Sequence, residues 1–153
     1  MTSSLSTRRL QAGDERIAND LFELISDVFE VPGEHLDDTY VEKLLAQPTF
    51  RCYVTFVDGD LAGGLTAHIL PMTRSMSSEM FIYDLAVRPA YQRRGVGTAL
   101  VRAALADATR DSIDTTFVPA DNDDTHALAF YEAVGGEASP VIFFTFESPT
   151  QQA

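Results

Sequence analysis

Residues 83–104, Tyr-Asp-Leu-Ala-Val-Arg-Pro-Ala-Tyr-Gln-Arg-Arg-Gly-Val-Gly-Thr-Ala-Leu-Val-Arg-Ala-Ala, leave the chain few ways to fold. They read as a strand over 80–87, a turn at Arg88-Pro89, a glycine loop over 92–97 and then a helix. Pro89 has no amide hydrogen and suits the end of a strand. Gly97, Leu100, Val101, Ala104, Leu105 and Ala108 then recur at helical spacing, the stripe of a helix with one buried face. Gly95 and Gly97 let backbone approach a ligand closely. A helix start leaves its first amides unpaired and partly positive, and Arg93 and Arg94 add full charges beside it. Such a place suits phosphate or pyrophosphate. Gln-Arg-Arg-Gly-Val-Gly is neither the six-residue dinucleotide fingerprint nor a P-loop, which needs a lysine after its second glycine.

Upstream, 7–11 reads as a first strand, and Asp14 can cap a helix burying Ile17, Leu21, Leu24, Ile25 and Val28. Pro32-Gly33 ends it, and a shorter helix begins at Asp38 or Thr39, turning Val41, Leu44 and Leu45 inward before Pro48. Strands on either side of Asp58-Gly59-Asp60 form a hairpin, with Gly63-Gly64 in the returning strand marking a bulge or a close neighbour. After the long helix come a strand over 115–120, an acidic loop, a helix over 125–134 ended by Gly135-Gly136, and a closing strand over 141–147. Nothing divides residues 1–153 into domains, so one domain with an ordered core of about 7–147 is expected.

Charge narrows the partners. With 11 basic and 23 acidic residues the net charge is −12, which repels nucleic acid and anionic membranes and attracts cations. The N-terminus lacks the apolar run of a signal peptide, and no stretch has the roughly 18 apolar residues of a membrane span, so a soluble cytoplasmic protein is expected. Cys52, the single cysteine, lies in an apolar strand and reads as a core residue. His68 reads as structural, His126 as a partner of the acidic loop and His35 as exposed, and no metal-ligand set emerges.

The loop Gln92 to Gly97 resembles the acetyl-CoA signature Gln/Arg-x-x-Gly-x-Gly/Ala of the GNAT N-acetyltransferases, and Asp-Leu-Ala-Val-Arg-Pro-Ala-Tyr is similar to that superfamily's central strand and its exit. The resemblance implies an α/β (α+β) fold with a mixed, mostly antiparallel sheet splayed at the central strand and flanked by helices. It assigns the pantetheine arm to the backbone of Leu85, Ala86 and Val87, with the Val87 amide at the thioester oxygen, and the pyrophosphate to Arg93, Arg94, Gly95, Val96, Gly97 and Thr98. Asp124-Thr-His-Ala127-Leu-Ala-Phe130-Tyr131 resembles the superfamily's Asn-x-x-Ala-x-x-Phe-Tyr helix, with Asp124, Ala127 and Phe130 on the cofactor side and Tyr131 facing the leaving sulfur. Asp124 stands where an asparagine is usual.

Asp121, Asp123 and Asp124 lie at the C-terminal end of a strand, where open sheets place ligands. With Glu79 and Asp84 on the central strand they favour an acceptor carrying several ammonium groups, although Asp124 or Thr125 could simply cap the next helix. Residues 78–87, the Ala-Asp-x-x-Asp-Asp loop and Ala129-Phe130-Tyr131 together resemble the aminoglycoside 3-N-acetyltransferases of the gentamicin-resistance type. That resemblance implies an aminoglycoside bound by Glu79, Tyr83, Asp84, Asp121, Asp123 and Asp124. Asp84, on the strand beside the thioester, is the candidate base or else a paired structural carboxylate, and Tyr131, whose phenol at about 10 is a weaker acid than a thiol at about 8.5, is expected to hydrogen-bond the thiolate. Polyamines or other small amines remain as acceptors, as does a silent acetyl-CoA sensor, and a homodimer stays open.

Overall fold

The computed structural model describes residues 3–149. Two compact units divide the chain after Pro119. The larger contains β1 (Leu5–Arg9), α1 (Glu15–Phe29), α2 (Asp38–Ala46), β2 (Phe50–Val57), β3 (Asp60–Pro71), β4 (Ser78–Val87), a 3-10 turn (Pro89–Tyr91), α3 (Val96–Arg110) and β5 (Thr115–Phe117). The smaller holds α4 (Thr125–Ala133). The five strands form one sheet in sequence order, antiparallel from β1 to β4 and parallel between β4 and β5. This is the mixed, mostly antiparallel α/β fold expected.

Strand alternation divides the core into two layers. Leu10, Phe50, Cys52, Val54 and Ala86 meet Ala18, Leu21, Leu24 and Ile25 of α1 and Val41 of α2. Burial in this layer pushes the Cys52 thiol up to about 12, with carboxylates Asp84 and Asp14 adding to it, so the cysteine is an inert core residue. On the other face the buried residues include Tyr53, Leu65, Ala67, Met80 and Ile82 of the sheet and Val96, Leu100 and Ala104 of α3. There the Tyr53 hydroxyl donates 2.7 Å to Asp107 of α3, whose carboxylate also lies 2.9 Å from Arg110. Arg51 Nη1 stands 2.8 Å from Asp111 but off the hydrogen-bond direction, so that pair is electrostatic.

Local chemistry matches most of these elements and corrects two. Asp58 (φ 49°) and Gly59 (φ 88°) both take left-handed conformations, which gives the hairpin its two-residue turn. Helix α2 starts at Asp38, as expected, and Asp37 before it caps the helix by accepting from Tyr40 N at 2.7 Å. Asp14 precedes α1 but does not cap it: its carboxylate is held by Arg8 at 3.0 Å through both oxygens and accepts from Gln11 N at 2.8 Å. The larger correction concerns 141–147, which forms no strand among the described residues. Its composition suits a strand, but pairing needs an edge, and no local signal states which edge is within reach.

The Gly63-Gly64 pair is explained on both counts. Ala62 is an extra residue opposite Thr55/Phe56, a bulge. A Cβ on Gly63 would stand 2.5 Å from the Ala86 carbonyl oxygen and 3.2 Å from Val87 Cα, and one on Gly64 would strike the Leu21 side chain. Gly63 therefore sets how closely β3 approaches β4. Gly63→Ala should destabilise the fold by about 1–3 kcal/mol, read from the midpoint of urea unfolding; an unchanged midpoint would mean that β4 moves away at no cost.

Candidate active site

Strand β4 is paired unequally on its two sides. β3 follows it from Ser78 to Val87, whereas β5 meets only Glu79, Met80 and Phe81. Arg88 donates its amide to Ala62 O at 2.8 Å, toward β3. Backbone groups alternate along a strand, so those of Ala86 also turn to β3, while those of Leu85 and Val87 point to the side where β5 has ended. The Val87 carbonyl there accepts from Gln92 Nε2 at 3.2 Å. Of the three residues expected to present backbone to a ligand, Leu85 and Val87 can do so. Ala86 is 2% exposed, with its methyl in the α1 layer.

The loop after β4 is built for an anion. Arg93 (φ 60°) and Gly95 (φ 85°) take left-handed conformations, and Gly95 precedes α3 without any side-chain cap. The amides of Val96, Gly97 and Thr98 open that helix and have no earlier turn to bond to. Arg93 and Arg94 are exposed, Arg94 resting 5.5 Å above the Tyr91 ring and donating to Ser3 at 2.6 Å. Unpaired amides, a helix dipole and two guanidinium groups fit a pyrophosphate.

Asp84 sits on the same face as the α1 layer, in a row with Thr66 and Cys52. Between Ile82 and Asp84, Tyr83 is an extra residue opposite Thr66/Ala67. The bulge tips Tyr83 outward to 64% exposure and turns the Asp84 carboxylate onto Thr66 Oγ1, which donates at 2.7 Å. Burial raises the Asp84 pKa above the usual carboxylate range, opposed by the Thr66 hydrogen bond and the charge of His68. His68 packs among aromatic rings, in keeping with its strand position. Its ring lies edge-on to Tyr83 at 5.7 Å and tilted on Phe50 at 5.4 Å, and Phe81 meets Tyr83 at 5.9 Å. An aromatic rim thus borders a half-buried carboxylate, and Glu79 lies farther back on β4. The bulge that joins these residues has no signature in the sequence.

A shallow depression is lined by Asp20, Glu23, Asp27, Asp60, Leu61, Arg88 and Tyr91. Among the described residues no His/Cys/Asp/Glu group could hold a metal, and no helix is long and apolar enough to cross a membrane.

In the smaller unit, Asp124 caps α4 by accepting from Ala127 N at 3.0 Å. Asp121 and Asp123 are exposed beside it. Tyr131 is half-buried and meets Phe130 edge-on at 5.2 Å. Burial and then the Asp124 charge raise the Tyr131 phenol above its ordinary value, so it keeps its proton at neutral pH and is available as a donor.

Residues 18–135 match the Acetyltransferase (GNAT) family. The chain belongs to that family. GNAT enzymes transfer acetyl from acetyl-CoA. An aminoglycoside acetyltransferase, meta-AAC0020, from an uncultured soil metagenomic sample is similar to this chain in two crystal structures. Its trehalose complex is 31% identical with a TM-score of 0.89, covering 95% of this chain and 97% of that one. Its sisomicin complex gives 30% identity, a TM-score of 0.89 and the same coverage. The uncharacterized N-acetyltransferase YvbK of Bacillus subtilis (strain 168) is 28% identical over 127 residues, 83% of this chain and 73% of that protein.

The cap separates two roles for the acidic loop. Asp124→Ala should lower stability by about 1 kcal/mol, whereas Asp124→Asn, which still accepts a hydrogen bond, should leave it nearly unchanged. Thermal unfolding of the two variants checks this.

Proposed function

We propose that this GNAT protein acetylates an amino group of a polycationic small molecule, most specifically the 3-amino group of an aminoglycoside, and so acts as an antibiotic-resistance enzyme. The observation that carries the reading is Asp84. It is a half-buried carboxylate, held by Thr66 beside an aromatic rim, three residues before an amide of the same strand that turns away from β3. Three residues of strand span about 10 Å, room for an amine and a thioester between base and oxyanion donor. The sisomicin complex of a 30% identical acetyltransferase supports the choice of acceptor class.

In the proposed reaction the acceptor nitrogen gives a proton to Asp84, directly or through water, and its lone pair attacks the thioester carbonyl carbon. Charge gathers on the carbonyl oxygen, which the Val87 amide stabilises. The carbon–sulfur bond then breaks while the Tyr131 hydroxyl hydrogen-bonds the departing thiolate, and the second proton lost by the acceptor nitrogen passes through water to that sulfur. A raised Asp84 pKa suits a base, since an ordinary carboxylate near 3.9 is a weak acceptor for an ammonium proton near 10.4. Leu85, Arg93, Arg94, Gly95, Val96, Gly97 and Thr98 would hold acetyl-CoA, with Ala86 acting through its place in the strand and Ala127 and Phe130 contributing from α4. Glu79, Tyr83, Asp121, Asp123 and Asp124 would hold the remaining ammonium groups.

Release of free CoA thiol, measured across aminoglycosides, polyamines and simple monoamines, tests the reading. Turnover should be fastest with aminoglycosides. Asp123→Asn should raise the KM of a polycationic acceptor about tenfold or more, because a charge pair near the surface is worth up to about 4 kcal/mol before desolvation. A monoamine should lose much less. Equal losses, or no turnover with any aminoglycoside, would overturn the acceptor assignment.

The pH profile tests the base. Asp84 must be unprotonated to work, so kcat/KM should fall as pH drops through a pKa above the usual carboxylate range. Thr66 donates to the ionised form, so Thr66→Val should move that limb to higher pH, and Asp84→Asn should cut turnover roughly 10²–10⁴-fold. A limb that stays put in Thr66→Val would assign the base to another group.

A further inference from the structure

Within the larger unit, Leu85 and Val87 each point an N–H and a C=O to the side of β4 that β5 does not reach. An extended ligand paired with such an edge can slide by two residues, about 7 Å, and still meet a donor and an acceptor. Beyond Val87 that slide is blocked. The next donor would have to come from position 89, and Pro89 has no N–H. The matching acceptor, the Val87 carbonyl, is already taken by Gln92 Nε2 at 3.2 Å. A tight turn holds this contact. Arg88 donates its amide to Ala62 O at 2.8 Å and its Nε to Leu61 O at 3.2 Å, while Tyr91 N donates to Arg88 O at 2.9 Å. Gln92 donates its own amide to Pro89 O at 3.3 Å, so its backbone is fixed while its exposed side chain reaches back five residues.

We propose that Gln92 is a positioning residue for acetyl transfer: by taking the Val87 carbonyl it leaves the Val87 amide as the last unpaired group of the edge, and so fixes where the thioester oxygen of acetyl-CoA comes to rest. This role rests on the Val87 amide being the donor to that oxygen, as proposed above. Two effects give Gln92 the part. The first is register, since an amide of the acyl-carrier arm finds no acceptor past Leu85 and cannot carry the thioester beyond Val87. The second is electrostatic. In an extended residue the N–H and C=O point the same way, so a bare Val87 carbonyl would set its lone pairs beside the charge that gathers on the thioester oxygen. The Gln92 N–H offsets those lone pairs and turns the positive end of its own dipole toward the same place. Gln92 thus acts through Val87 and touches no reacting atom.

Infrared difference spectra of acetyl-CoA with an isotopically labelled acetyl carbonyl, bound without any acceptor, read the hydrogen bond on that oxygen. In the parent the labelled band should lie at lower wavenumber than in free acetyl-CoA. Gln92→Met keeps the length of the side chain and removes its donor, so most of that displacement should disappear. Gln92→Arg, whose guanidinium donates over a similar reach, should restore it. Calorimetry should find the acetyl-CoA dissociation constant of Gln92→Met within about twofold of the parent, because the pyrophosphate contacts are untouched. With any amine that is acetylated, kcat of Gln92→Met should fall about tenfold, less than the 10²–10³-fold typical of deleting an oxyanion donor itself. An unmoved band in Gln92→Met overturns the proposal. If the dissociation constant rises while the band stays, Gln92 belongs to the anion loop alone and the proposal is again overturned. A parent band at the position of free acetyl-CoA removes the Val87 donor and this role together. Failure of every aminoglycoside as acceptor alters neither the spectra nor the dissociation constants, which need none.

Discussion

The unequal pairing of β4 is the constraint on which the larger unit depends. A strand needs partners for the peptide groups on both edges, and β5 supplies them only to Glu79, Met80 and Phe81. Beyond that point β4 is held from one side by β3, which approaches closely because Gly63 has no Cβ. The free side is not left bare: the Gln92 side chain takes the Val87 carbonyl, while Leu85 and Val87 present their amides there. The same shortfall that would be a liability at a sheet edge leaves these backbone groups free to meet an extended ligand.

Helix α3 is fixed at both ends by opposite kinds of charge chemistry. Its start is uncapped and basic, with Gly95 in a conformation that favours glycine and Arg93 strained beside it. Its other end is anchored to the sheet through Tyr53, Asp107, Arg110 and the Arg51–Asp111 pair. Burial, followed by the hydrogen bond to Asp107, holds the Tyr53 hydroxyl in its protonated, donating form. A buried polar contact of this sort gives orientation more than stability, and orientation is what an anion site at a helix start requires.

Burial divides the acidic side chains into two kinds. Asp84, desolvated beside Thr66 and the His68–Tyr83 rim, has its proton affinity raised. Asp121 and Asp123 are exposed to water.

Periodicity and turn chemistry by themselves determined the order of elements from β1 to α4, the buried faces of α1 and α3, and the hairpin at Asp58-Gly59, because each is set by neighbours a few residues apart. Tertiary structure alone decided what long-range contact controls. It removed Asp14 from its expected cap by pairing it with Arg8, and inserted Tyr83 as the bulge that joins Asp84 to Thr66 and His68 to the rim. It also left 141–147 outside any strand among the described residues. Strand propensity is local, but a strand exists only where an edge receives it, and edges are made by residues far away in the chain.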